Sequence, residues 1–266
     1  MTAIIDNIKR QPIDGISALA VKFNRFKGQA VINKFCRNPD VDGPEDIWNG
    51  GGIYTGFPLT AAEEFQVLSS SAADTITGTG ARVVRVFYYD ADFNMFDADG
   101  NYLYFDVNMN GTTAVNSGIT GIRVWRSKVI LSGSGGQSAG DITVRWRTTT
   151  AVVFAVMPLG FSQTQIGNFT IPNGYRGVLT QYGATMFDNN ANRAEICIKV
   201  RDFGSNTFSF SRPFAITTEK NGFFDMYGGD LYEAKTDICM RCLSVANTNA
   251  NISGQYAIHL VKDGIL

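Results

Sequence analysis

RVVRVFYY, residues 82–89, and NYLYFDVNM, residues 101–109, decide the fold. In the first, Val84, Val86 and Tyr88 fall on one face of an extended chain; in the second, Leu103, Phe105, Val107 and Met109 do. Apolar residues at every second position mark strands with one buried face. The rhythm continues in GIRVWRS, with Ile122 and Val124, and in DITVRW, with Ile142, Val144 and Trp146. Asp99-Gly100-Asn101, Asn110-Gly111 and the glycine-serine stretch at 132–140 supply the turns between them. Hairpins follow from that alternation.

The same pattern runs through the second half in IGNFTIPNGYRGVLTQY, AEICIKV, NTFSFSRPFAI, TDICMRCL and QYAIHLVKD. The best helical candidate, PLTAAEEFQVL at 58–68, is short and also reads as a strand. The expected class is all-β. No repeat of fixed short period argues for a solenoid or propeller. The reading is two antiparallel β-sandwich domains. Residues 1–160 form the first, with an extended N-terminal segment, and residues 161–266 form a jelly-roll-like second.

A chain of 266 residues with 18% charged side chains can bury about three quarters of its unfolded surface, so it needs no staples. Its formal charge of -1, without a Lys/Arg-rich run, argues against nucleic acid as a partner. The opening MTAIIDNIKRQPIDG has no signal-peptide h-region. The longest apolar run, at 151–161, is about half the ~20 residues of a membrane span. A soluble protein without a membrane partner is expected. Cys36, Cys197, Cys239 and Cys242 are too scattered for a disulfide framework, so reduced thiols are expected.

Few motifs carry chemistry. DIWNGGGIYTGFP, residues 46–58, has three consecutive glycines but no following helix to make a phosphate cradle. Trp48, Gly50, Gly51, Gly52 and Pro58 are therefore read as a structural turn, with Trp48 and Phe57 burying apolar area. YDADFNMFDADGN, residues 89–101, spaces Asp90, Asp92, Asp97 and Asp99 at alternate positions, a weak candidate for a hard cation. It lacks the glycine and glutamate of an EF-hand loop, so a solvated hairpin tip is the plainer reading. Cys239 and Cys242, three apart in a strand, face opposite ways and do not pair as a metal or redox site. His259, the only histidine, has no nucleophile motif near it, and three N-x-S/T sequons carry no weight without export. No catalytic residue and no cofactor is nominated. FFDMYGG, residues 223–229, reads as a glycine-flanked surface loop whose Phe223, Phe224, Met226 and Tyr227 would anchor a partner.

NPDVDGPEDIWNGGGIYTGFP, SSSAADTITGTGAR, NGTTAV, SGSGGQSAGDITV, IPNGYRGVLTQYGATM, EAKTDICMRC and QYAIHLVKDGIL, in that order, resemble a family of virion structural proteins of tailed bacteriophages, mostly of aquatic hosts. The resemblance covers most of the chain from about Asn38 and implies a β-rich virion component without catalytic residues. The expectation is a non-enzymatic viral protein made in the host cytoplasm and located in the virion. It would form a homo-oligomer, a trimer being one candidate, and contact other capsid or tail proteins. Capsid-surface decoration or cement is the preferred role. A tail or adsorption-apparatus component is the alternative role, and a carbohydrate-binding module, with a row of exposed aromatics around Tyr88 to Tyr104, is a rival of another class.

Overall fold

A computed structural model describes residues 28–187, 193–218 and 222–265, apart from the side chains of 226–228. The expected extended N-terminal segment lies outside these residues. In chain order the strands are β1 (Gln29–Val41), β2 (Glu63–Ser69), β3 (Ala81–Tyr89), β4 (Tyr104–Asn108), β5 (Val115–Gly121), β6 (Arg123–Ser132), β7 (Ile142–Trp146) and β8 (Val153–Met157). They continue with β9 (Phe169–Thr170), β10 (Tyr175–Met186), β11 (Arg193–Arg201), β12 (Ser209–Thr217), β13 (Gly222–Tyr232), β14 (Asp237–Val245) and β15 (Ala250–Lys262). The fold is all-β and antiparallel throughout. The ambiguous segment at 58–68 enters strand β2, because Phe65 and Val67 alternate into a core that a helix would not match.

The strands build four sheets, in the orders β1-β15-β10-β13, β12-β11-β14-β9, β5-β2-β7-β8 and β4-β3-β6. The first two face each other. The first sets early β1 among late strands, the second holds only strands from β9 onward, and together they give the eight-stranded order of a jelly roll, with β1 and β15 paired along Gln29↔Val261 to Val41↔Ala250. Strands β2 to β8 form a second sandwich inserted whole between β1 and β9. This corrects the division at 160/161, which assigned β1 to the first unit. Alternation within 29–41 shows that the segment is a strand; it holds no information about which distant strand completes the pair.

Two cores follow. Ile196, Ile198, Met240, Ile252, Ile258 and Leu260 fill the jelly roll, while Phe65, Val84, Val86, Val144, Trp146 and Phe154 fill the inserted sandwich. Each such buried side chain contributes roughly 1.5–3 kcal/mol of transfer free energy. Strand β11 is buried on both faces. Ile196, Ile198 and Val200 point into the jelly roll, and Cys197, Lys199 and Arg201 point at the inserted sandwich. The two lobes thus share a wall.

That wall includes a buried lysine. Lys34 of β1 donates its Nζ to the Trp125 carbonyl of β6 at 2.5 Å and lies 5.9 Å from the Trp125 ring, so one strand of each lobe is tied to the other. Burial pushes its pKa down to about 7 from an ordinary 10.5. Below about 7 both folded and unfolded chains hold the proton and the buried charge costs in full; above it only the unfolded chain does, so stability rises with pH. The rise is clean only up to the ordinary thiol value of 9.0, because burial pushes Cys36 and Cys197 up to about 12 and so favours the unfolded chain at higher pH. We expect the thermal midpoint to climb from pH 7 to pH 9 and the climb to shrink in Lys34→Met. Equal climbs in both proteins would remove Lys34 from this account.

Candidate functional site

The segment 46–58 is the clasp between the lobes. Gly51 and Gly52 take φ of 67° and 64°, a region open to glycine and strained for other residues. The reversal lets Gly52 accept hydrogen bonds from Asp46 N and Trp48 Nε1 at 3.1 and 3.2 Å. Gly50 must lack a side chain, since a Cβ there would approach the Trp48 ring to 2.3 Å. Trp48, Tyr54 and Phe57 then pack edge to face at 5.1 and 4.9 Å. The turn residues build a fixed loop whose two ends face the jelly roll.

At one end, Asp46 accepts from Lys199 Nζ at 2.8 Å, Arg241 Nη1 at 3.1 Å and Tyr54 N at 2.8 Å. At the other, the carbonyls of Phe57 and Pro58 accept from Arg201 Nη2 at 2.8 Å and Arg123 Nη1 at 3.0 Å. Both arginines converge on Asp237. Arg123 grips it through Nε and Nη2 at 3.1 Å each, and Arg201 through Nε and Nη2 at 3.2 and 2.5 Å. Thr170 adds a hydroxyl at 2.6 Å. Each aspartate therefore serves two cations. The rings of Phe57, Phe93 and Phe208 lie 4.7 to 5.9 Å from the guanidiniums and offset part of the excess charge.

The other singled-out residues divide plainly. Asp90 and Asp97 do not converge on a common point; each closes its own turn. Asp90 accepts from the amides of Asp92 and Asn94, and Asp97 from those of Asp99 and Asn101, so the two arrays are one turn built twice. Among the described residues no group of three or more His, Cys, Asp or Glu could hold a metal ion. Cys239 packs in the inserted core and Cys242 in the jelly-roll core, as their spacing implied, and burial raises both thiols. His259 is buried with Nε2 2.9 Å from Gln29 Oε1, and burial lowers its pKa. The aromatics near 88–104 form no flat exposed row: Phe87, Tyr102 and Trp125 pack on one another at 5.0 to 6.4 Å.

FFDMYGG is not a loop. It lies in β13, an edge strand that among the described residues pairs only with β10, and its register shifts opposite 226–229. The glycines read as loop signals serve close approach instead: a Cβ on Gly229 would meet the Leu179 carbonyl at 2.1 Å. Phe223 and Phe224 face opposite ways. Phe224, 41% exposed, stacks on Tyr182 at 5.0 Å and meets Phe214 at 5.1 Å, closing one sheet onto the other. Phe223, 49% exposed, ends a cross-strand row Phe35–Gln255–Gly183–Phe223 on the outer sheet face, where its ring lies against Gly183, whose Cβ would meet it at 2.2 Å. The side chains of Met226 and Tyr227 lie outside the described residues. Beside β13, edge strand β12 exposes Phe210 and is tied across by Arg212 to Asp230 at 2.7 Å.

No family model and no curated protein matches the chain. Among solved structures it is similar to a chain in the structure of infectious bursal disease virus Gx strain, at 8% identity and a TM-score of 0.25, over 89% of this chain and 73% of that one. It is also similar to a chain in the atomic structure of Sulfolobus Turreted Icosahedral Virus, at 9% identity and a TM-score of 0.15, over 90% and 94%. Likenesses of this size carry no argument. No helix among the described residues is long and apolar enough to cross a membrane.

Sequence reasoning missed Asp46, Arg123, Lys199, Arg201, Asp237 and Arg241. Charges alternating with apolar residues, as in ICIKVR, read as a solvated strand face, and only the docked second lobe turns that face inward. Removing the charge of Asp237 leaves two buried guanidiniums against a neutral amide. We expect Asp237→Asn to cost about 3–5 kcal/mol in chemical denaturation, against nearly nothing for exposed Asp202→Asn. A cost under about 1 kcal/mol would show that the carbonyls and rings alone hold the arginines.

Proposed function

We propose that the chain is a non-enzymatic structural protein of a virion, made in the host cytoplasm, assembled in several copies and packed against other virion proteins. The observation that supports this most is the open flank of the jelly roll. Edge strands β12 and β13 lie side by side, each with one edge that pairs with no strand among the described residues, and expose Phe210, Phe223 and Leu231. Such an edge invites pairing unless a neighbour covers it, and buried aromatic anchors dominate interface energetics. The ordered resemblance of the sequence to tailed-phage virion proteins supports the same reading. Within the particle we favour capsid-surface decoration over a tail position, because the sequence has no fixed-period repeat of the kind that builds extended fibres.

Phe223 and Phe224 separate assembly from folding. Phe223→Ser should leave the thermal midpoint close to that of the wild type and lower the assembled mass seen by light scattering, or the uptake into particles. Phe224→Ser should lower stability by roughly 0.5–1.5 kcal/mol beyond its lost area, because the Tyr182–Phe214–Phe224 cluster opens. A Phe223→Ser chain that assembles and incorporates like the wild type would contradict this use of the flank.

A further inference from the structure

Beside the clasp, a cleft of about 540 Å³ opens between the lobes, with Arg123, Arg201 and Asp237 at its floor and Lys235 on its wall. The charge there is unbalanced. Of the groups that line it, Arg123, Arg201 and Lys235 are positive and Asp202 and Asp237 negative, which leaves one positive charge over. Lys235 supplies it, since among the described residues it has no carboxylate within salt-bridge distance. Arg123 spends its donors on Asp237 and on the Pro58 and Ile122 carbonyls. Arg201 spends Nε and Nη2, and its Nη1 has no hydrogen-bond partner among the described residues. Buried charge is ordinarily matched, so this arrangement suits a bound anion.

Two tight turns bring backbone of positive φ to the cleft. Lys235 and Phe93, neither of them glycine, hold φ of 66° and 67°, and both line the cleft. The Lys235 ammonium lies 5.4 Å from the Phe93 ring and 4.8 Å from Phe203, which holds its charge at the opening. Non-glycine residues held at positive φ cluster at functional clefts, and two of them meet here. Phe203 and Leu59, each 62% exposed, give the rim an apolar platform, and Asn206 and Asp202 stand beside it as hydrogen-bonding groups.

We infer that this cleft binds an acidic saccharide, its carboxylate received by Arg201 and Lys235, one sugar face on Phe203 and its hydroxyls read by Asn206 and Asp202. A guanidinium edge with an adjacent ammonium suits a carboxylate. The Asp202 carboxylate opposes a second negative charge, which sets the site against phosphate. This inference stands apart from the assembly reading, because the cleft and the β12–β13 flank share no residue.

Calorimetric titration of the full chain with a uronic-acid disaccharide tests it, with the neutral disaccharide and inorganic phosphate as parallel probes. The acidic sugar should bind at least about tenfold more tightly than either, and more weakly as salt rises. Lys235→Gly removes the cation and relieves the strained backbone; Phe203→Ala removes an exposed ring. Each should weaken binding by at least about tenfold with the thermal midpoint held or raised. No binding by the acidic sugar, equal binding by the neutral sugar or by phosphate, or unchanged affinity in both variants would overturn the assignment.

Discussion

Asp237 holds two guanidiniums from opposite lobes: Arg123 opens β6 of the inserted sandwich, and Arg201 closes β11 of the jelly roll. A lone buried cation of this kind would be prohibitive, and two on one carboxylate are tolerable only because backbone carbonyls and aromatic faces are fixed around them. The clasp at 46–58 does that fixing. Its glycine reversal delivers Asp46 to Lys199 and Arg241 and, a few residues on, the Phe57 and Pro58 carbonyls to the arginines. The angle between the lobes, the mouth of the cleft and the direction in which the open flank faces all follow from this seam.

An insertion between β1 and β9 makes that seam necessary. The jelly roll closes only when β1 returns to β15, so the chain leaves the jelly roll, builds the inserted sandwich and comes back at β9. Two connections alone would let the lobes rotate, and the paired charges of the seam oppose that rotation. Lys34 on the Trp125 carbonyl, Tyr89 Oη on the Thr170 carbonyl at 2.6 Å and the Trp48–Ile166 bridge secure the same wall with short, directional contacts. Burying ionic groups costs stability relative to an apolar wall, and it restricts the lobes to one relative placement.

Much of this was legible in advance. Val84, Val86 and Tyr88 announced their strand through period-two alternation, the strands of the second half showed the same rhythm, and the glycine bend was readable because only backbone freedom explains three glycines beside Trp48. What was not legible depends on distance. The strand at 29–41 shows its own face but not that β15 is its partner. Lys199 and Arg201 look solvated until the second lobe covers them. FFDMYGG reads as a loop because its glycines resemble turn signals, whereas Gly222 and Gly229 permit close packing along an edge strand. In each case local chemistry set the conformation and a contact far away in sequence set its meaning.

Scanning calorimetry of the intact chain tests the central claim, that the seam makes the two sandwiches one rigid body. A single transition whose calorimetric and van't Hoff enthalpies agree is expected, since neither lobe can open without exposing the paired charges on Asp46 and Asp237. Two resolved transitions at neutral pH, one for each sandwich, would contradict it.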